Sequence, residues 1–322
     1  MKILITGGGG FLGFKLARAL LARGTLDGQS IAGITLLDGA FPAQLPQDAR
    51  LKAVTGDVSD PKVIAGVCAA DTAAVFHLAA VVSGAAEADF DLGMRVNLKG
   101  SKLLLEHLRK CAQPPKLVFT SSVAAFGGDL PPVLDDRTIA TPQTSYGTQK
   151  VIGEYLVNDY SRKGFIDGRS LRLPTIVVRA GKPNAAASSF ASGIIREPLN
   201  GVVSECPVGL DTGVWLLSPR RVIEAFIHAC ELPASAWAPG RVVNLPGITR
   251  SVAQMVEALK KVAGAKAAAR VVYKGEARIQ AIVRTWPVQF ETPRALAMGF
   301  RADADLETLI RDYIADEHIL VA

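Results

Sequence analysis

Short apolar runs alternate with longer segments of helical spacing through the first half of the chain. Lys2 to Thr6, Ile31 to Leu37, Leu51 to Gly56 and Val75 to Ala79 read as strands, with a helix over Phe11 to Arg23 between the first two. Glu87 to Arg109 then reads as one long helix, Lys116 to Ser121 as a strand, Thr144 to Lys163 as a helix and Arg169 to Val178 as a strand. Near-continuous apolar strands separated by helices predict an α/β fold, a doubly wound parallel sheet with helices on both faces.

Past Arg179 the alternation gives way to small residues, Gly181 to Ser192, and then to shorter helices near Ile194, over Pro219 to Cys230 and over Val252 to Val262. The pattern predicts a main domain over residues 1–178 and a smaller C-terminal lobe over 179–322. Arg241 to Leu245 is apolar enough to be a buried strand returning to the main sheet.

Composition narrows the class. With 322 residues, 49% hydrophobic and 20% charged, the chain can bury a large core, which excludes disorder. Its longest apolar stretch, Ala73 to Val82, is interrupted by His77 and falls well short of the roughly twenty residues needed to cross a bilayer. The glycines from Gly7 to Gly10 end the first apolar run too early for a signal peptide, so a cytoplasmic location is predicted. Cys68, Cys111, Cys206 and Cys230 are scattered without metal-like spacing, and His77 reads as a hydrogen-bonded core imidazole, so no metal is expected. The net charge is +6 from 36 basic and 30 acidic residues, and basic residues cluster no further than pairs. That pattern predicts no nucleic-acid partner and suits a small anionic ligand in a local cleft.

The chemistry sits where strands end. Thr6-Gly7-Gly8-Gly9-Gly10-Phe11-Leu12-Gly13 joins the first strand to the first helix, where glycine lets the backbone approach a pyrophosphate and the helix N-terminus presents free N–H groups. Gly7, Gly10 and Gly13 have the spacing G-x-x-G-x-x-G. Asp38 ends the second strand, where a carboxylate can accept both ribose hydroxyls of an adenosine. Gly39, Ala40 and Phe41 bring no cation for a ribose phosphate, so NAD is favoured over NADP. Asp57-Val58, after the third strand, can meet the adenine or cap a helix. Leu78, Ala79 and Ala80, after His77, can lie against a cofactor ribose or simply pack.

Tyr146 and Lys150 lie four apart on a predicted helix and share one face. An ammonium beside the phenol, together with a cationic nicotinamide, would bring the tyrosine toward the working pH of a general base. Ser122 closes the fifth strand at the sheet edge where open α/β folds bind ligands, and can hydrogen-bond a substrate oxygen.

This combination resembles the extended short-chain dehydrogenase/reductases, the NAD-dependent epimerase/dehydratases, over nearly the whole chain. The resemblance implies a Rossmann fold with a substrate-binding lobe, and it implies roles for individual residues. Gly7, Gly10 and Gly13, with Phe11 and Leu12, would meet the pyrophosphate, and Asp38 the adenosine ribose. Tyr146, in Tyr146-Gly147-Thr148-Gln149-Lys150, would be the base, Lys150 would hold the nicotinamide ribose, and Ser122 would meet the substrate. Thr175 would approach the nicotinamide carboxamide, and Asn184, with Lys182, lies in a loop of substrate contacts. Residues 127–132, 141–150 and 182–190 are similar to a branch of the family that oxidises the hydroxyl beside the carboxylate of a small sugar acid.

Phe126-Gly127 stands where the family usually has a tyrosine before glycine, and Val123 and Ala124 stand where dehydratases place a glutamate. Alcohol oxidation requires neither group. Alternatives are an epimerase or uronate dehydrogenase of the same fold, and a non-catalytic dinucleotide sensor that would have no use for Tyr146 and Lys150. The group for a substrate carboxylate is open among Lys182, Asn184, Arg220 and Arg221. Leu103, Leu104 and Leu108 exceed what one helical face requires, so the helices over Glu87 to Arg109 and Thr144 to Lys163 suggest a homodimer interface, or burial against the sheet.

Overall fold

The computed structural model describes residues 1–181, 183 and 186–320. It divides into two units that interleave along the chain. The first comprises Met1–Ala125, Thr144–Arg172 and Ile223–Val243, and the second Phe126–Gln143, Leu173–Val222 and Asn244–Ala322.

The first unit is organised by a seven-stranded sheet. Its strands in chain order are β1 Lys2–Thr6, β2 Gly33–Asp38, β3 Leu51–Thr55, β4 Thr72–His77, β5 Lys116–Ser122, β6 Asp167–Leu173 and β7 Val242–Asn244. Their spatial order is 7-6-5-4-1-2-3, the doubly wound arrangement with its switch point between β1 and β4. The pairs β1–β2, β1–β4, β2–β3 and β4–β5 run parallel. The apolar run near Arg241 does return to this sheet, where the Ser170 N–H donates to the Arg241 carbonyl.

One core cluster joins Leu4, Leu37, Val75, Leu117 and Phe119 of the strands to Ile64 and Val67 of α2 (Pro61–Val67), to Leu104, Leu105 and Leu108, and to Val157. Leu103 is partly buried against the same cluster. The leucines that suggested a dimer face are therefore used within the protomer. The exposed aromatics nearby are Phe90, 58% exposed, and Tyr155, 72% exposed.

Three expected elements differ from their observed form. The long helix over Glu87 to Arg109 is instead α3 (Ser83–Ala88), α4 (Phe90–Gly93), a π-helical turn (Met94–Gly100) and α5 (Ser101–Leu108). Asp89 leaves helical geometry at φ −131° and its side chain accepts from the Leu92 N–H, which stops one helix and caps the next. The strand expected over Arg169 to Val178 divides at Pro174, which has no N–H to give a ladder. Residues Asp167–Leu173 stay in the main sheet, whereas Thr175–Ile176 pairs parallel with Gly213–Leu217. The helix expected to end at Val262 continues to Ala268 across a kink at Gly264, whose φ is +85°.

Thr175 thus belongs to the second unit. There a three-stranded sheet (Thr175–Ile176, Gly213–Leu217 and Ile248–Ser251) and a separate core that includes Ile194, Leu216, Met255 and Ile310 form an independent body. Phe126 is buried in this unit, its ring 5.9 Å from that of Phe290, so the residue that replaces a tyrosine is a packing residue. No helix of the described residues is long and apolar enough to cross a membrane.

The helix that carries Tyr146, α6 (Ser145–Arg162), is capped by Thr144, whose hydroxyl accepts from the Gly147 N–H at 3.1 Å. It lies close to β5 because residue 153 is glycine: a Cβ there would stand 2.6 Å from the Phe119 ring. Gly153→Ala should cost about 1–3 kcal/mol by overpacking. Gly66→Ala, in open space on α2, should be neutral or stabilising. Thermal denaturation of both variants tests this, a lowered midpoint being expected for the first alone.

Candidate active site

The parallel register sets Thr6 level with Leu37 on one side and His77 on the other, and His77 level with Phe119. The strand ends that carry the chemistry therefore share one edge of the sheet. Over it turns the glycine loop, in which the Gly7 and Gly8 N–H groups donate to the Leu37 carbonyl at 2.8 and 3.1 Å.

Steric demand falls on a partly different set from the expected Gly7, Gly10 and Gly13. A Cβ on Gly7, whose φ is +73°, would stand 2.7 Å from the Ala79 nitrogen and 2.8 Å from the Leu78 carbonyl carbon. One on Gly13 would stand 2.1 Å from the Gly7 oxygen, and one on Gly9 2.0 Å from the Ala40 oxygen. At Gly10 the nearest atom is 3.2 Å away. Gly10 is the extended N-cap residue of α1 (Phe11–Arg23), a helix whose start has no side-chain cap and no acidic residue in its first turn. Phe11, Leu12 and Gly13 thus begin a helix whose N-terminal end suits an anionic ligand.

Asp38 closes β2 with its Oδ2 accepting from the Gly9 and Gly10 N–H groups at 3.0 and 3.1 Å. Its Oδ1 meets only the Ala40 N–H, at 3.4 Å, among the described residues, and so retains acceptor capacity for a ribose hydroxyl. A glycine cradle that a Cβ would fill, an uncapped helix start and an acidic strand end fit the pyrophosphate and adenosine ribose of NAD.

Asp57 is more committed than expected. Its Oδ1 accepts from both the N–H and the hydroxyl of Ser59 at 2.7 Å, and its Oδ2 pairs with Arg95. Burial raises its carboxyl, but the Ser59 and Arg95 contacts outweigh that and leave it below the usual carboxylate range. The helix cap is Asp60, not Asp57. Val58 is buried, close enough to the π-helical turn that a Cβ on Gly100 would stand 2.8 Å from its side chain. β4 ends at His77, so Leu78, Ala79 and Ala80 form the loop that faces Gly7.

His77 is the core imidazole the sequence implied. Its Nδ1 lies 2.6 Å from the Thr6 hydroxyl and its Nε2 2.8 Å from that of Ser101. Ser101 donates its proton to the Asn97 carbonyl at 2.6 Å, which leaves Nε2 of His77 as the donor and Nδ1 as the acceptor. Burial first, then the charge of Lys150, push this imidazole down to about 3. It stays neutral, and acidification below its ordinary value of 6.5 favours the unfolded chain, which can protonate it. Among the described residues no group of three or more His, Cys, Asp or Glu can hold a metal.

Tyr146, Lys150 and Ser122 come together in the first unit. Lys150 is 3% exposed. Its Nζ donates to the Thr120 carbonyl at 2.7 Å and lies 5.0 and 5.5 Å from the Phe119 and Tyr146 ring centres. Burial pushes the amine down to about 8, while the Glu154 carboxylate works the other way. The Tyr146 phenol is pushed up to about 12 by burial, and its hydrogen bond with Ser122 only partly offsets this. The lowering expected from an adjacent ammonium is therefore not reached by the protein groups alone. A cationic nicotinamide would have to supply the rest.

Three residues at this site lie outside the motifs read from the sequence. Asn97, in the π-helical turn, receives the Val81 N–H at 2.7 Å and donates to the Val81 carbonyl and to Gln149. Glu154 and Arg172 form a buried pair behind Lys150. Of these, only Glu154 carried a signal, one helical turn beyond Lys150. Lys182 and Asn184 lie outside the described residues. Arg220 is engaged with Asp312 and Asp316, and Arg221 donates its N–H to the Ser218 hydroxyl.

Comparison with known proteins identifies the family. The model of the NAD-dependent epimerase/dehydratase family matches residues 3–243, and the chain belongs to that family. A D-erythronate dehydrogenase of Cupriavidus necator is 58% identical over 320 residues, covering 98% of both chains. One of Haemophilus influenzae is 42% identical over 314 residues, covering 98% of this chain and 99% of its own. A solved structure described as a nucleoside-diphosphate-sugar epimerase from Agrobacterium tumefaciens has a TM-score of 0.94 and 41% identity, covering 99% of this chain and 94% of its own. The cofactor is NAD.

Gly9→Ala should weaken NAD binding at least about tenfold, as the Cβ must displace backbone. At Gly10 a Cβ would stand 3.2 Å from the Gly7 oxygen, a tight contact that a shift of a few tenths of an ångström relieves, so a smaller loss is expected there. Isothermal titration of NAD into both variants checks the difference, with folding judged by circular dichroism.

Proposed function

We propose that the protein oxidises D-erythronate to 2-dehydro-D-erythronate with NAD as acceptor, in the cytoplasm. The observation that carries this reading is the 58% identity to a D-erythronate dehydrogenase over 98% of both chains. Joined Ser122, Tyr146 and Lys150 side chains in one unit support it.

Bound NAD would supply the acceptor for the hydride leaving the carbon beside the carboxylate, and the Tyr146 phenolate would take the alcohol proton. The Tyr146 phenolic oxygen is the general base, and the Ser122 hydroxyl, already hydrogen-bonded to it, orients the substrate oxygen. Lys150 holds the nicotinamide ribose and supplies the positive charge that favours phenolate. Gly7, Gly10, Phe11, Leu12 and Gly13 receive the pyrophosphate and Asp38 the adenosine ribose. Asp57, Val58, Leu78, Ala79 and Ala80 line the adenosine side, and Thr175 serves the nicotinamide. The first unit holds the cofactor, the second selects the sugar acid, and Asn184 is proposed as a substrate contact.

A second reading, epimerisation of a nucleotide sugar, draws on the description of the Agrobacterium structure. Phe126, buried against Phe290, offers no hydroxyl for it. A panel of four- to six-carbon sugar acids and nucleotide sugars, followed by NADH absorbance, separates the two. Rapid reduction with D-erythronate is expected, and isomerisation of a nucleotide sugar without net reduction would establish the epimerase. Tyr146→Phe should lower kcat by about 10²–10⁴ while NAD affinity changes little.

A homodimer formed through α4 and α6 is also proposed, on the exposure of Phe90 and Tyr155. Light scattering should give twice the 34.0 kDa chain mass, and a monomer at every concentration would exclude it.

A further inference from the structure

α6 places Tyr146, Lys150 and Glu154 at successive four-residue intervals, a single stripe along one face. The third member is as buried as the second: Glu154 and Lys150 are each 3% exposed. Burial of a carboxylate is costly unless its oxygens are satisfied, and these are. Arg172 of β6 makes a two-pronged contact, Nε to Oε1 at 2.8 Å and a terminal nitrogen to Oε2 at 2.7 Å. Ser121 of β5 donates its hydroxyl to Oε1.

Ser121 is also the residue between the two groups that α6 works with. Thr120 before it offers the carbonyl that receives the Lys150 ammonium, and Ser122 after it bonds the Tyr146 phenol. One carboxylate therefore ties β6, the end of β5 and the catalytic helix together at the base of the site.

Resting on the dehydrogenase reading above, we propose that Glu154 is a positioning residue for Lys150. Clamped by Arg172 and Ser121, its buried carboxylate keeps the lysine charged and seated on the Thr120 carbonyl. Glu154 touches neither cofactor nor substrate in this role and acts through the ammonium.

The other groups around the amine do not substitute for it. Tyr146 on α6 is a neutral phenol in the free protein, His77 on β4 is neutral, and β5 presents the Phe119 ring and the Thr120 carbonyl. Arg172 on β6 is a cation whose effect on Lys150 opposes that of Glu154. Removing Glu154's charge and removing Arg172's charge should therefore shift the lysine in opposite directions, which loss of packing alone would not do.

The test titrates cofactor-free protein carrying isotope-labelled lysine by NMR, the Lys150 signal being identified by its loss in Lys150→Met. The midpoint in the unaltered protein is expected near 8. Glu154→Gln should lower it by about half a pH unit or more, Glu154→Asp should restore most of that, and Arg172→Gln should raise it. The alkaline limb of kcat/KM for D-erythronate should move in the same directions. Glu154→Asp, which keeps the charge but draws it back by one methylene, decides the matter if Glu154→Gln does not fold, a smaller lowering of the Lys150 midpoint being expected there. A Lys150 midpoint that is the same in every folded variant would overturn the positioning role, even where turnover falls. Failure of the unaltered protein to reduce NAD with D-erythronate would overturn the functional reading and leave the titration result standing.

Discussion

The ammonium of Lys150 is buried in the body of the first unit, and the site is arranged around keeping it there. Taking such a charge out of water costs several kcal/mol even after relaxation, and the residues nearby share the compensation. A carbonyl at the end of β5 accepts a hydrogen bond, two aromatic faces lie within reach, and a carboxylate one helical turn away supplies opposite charge. With its pKa near 8 the amine is still mostly protonated at neutral pH. A charge retained at that depth acts through little screening solvent, yet alone it does not bring down the Tyr146 phenol, which burial pushes up to about 12.

The rest of the site follows from parallel strands in level register. β1, β2, β4 and β5 end on one edge, so the glycine loop, Asp38, the loop after His77 and Ser122 share that edge although they are far apart in sequence. Glycine is required where backbones nearly touch, at Gly7, Gly9 and Gly13, and Gly153 does the same for α6 against Phe119. These contacts draw the strand ends and α6 together, and the four-residue interval on α6 sets the Lys150 Nζ 5.5 Å from the centre of the Tyr146 ring.

Much of this was legible in the chain because its signals are local. The strands were visible as apolar runs, the loop as a glycine cluster, Asp38 as an acidic residue at a strand end, and the Tyr146/Lys150 pair as a four-residue interval. What was not legible depends on partners distant in sequence. The π-helical turn that aims Asn97 at Val81 looks like ordinary helix, and the pairing of Glu154 with Arg172 needs β6 beside β5. Gly9 was hidden among four consecutive glycines, because its need for small size comes from Ala40 on the next strand's loop. The phenol's resistance to ionisation likewise depends on burial, which the interval between Tyr146 and Lys150 does not encode.

The most direct test of the account follows the hydrogen itself. D-Erythronate deuterated at the carbon beside its carboxylate is incubated with the protein and NAD, and the reduced cofactor is examined by mass spectrometry. The account predicts one deuterium in the reduced cofactor for each keto acid formed. Recovery of unreduced NAD beside unchanged erythronate, or of reduced cofactor without deuterium, would contradict it.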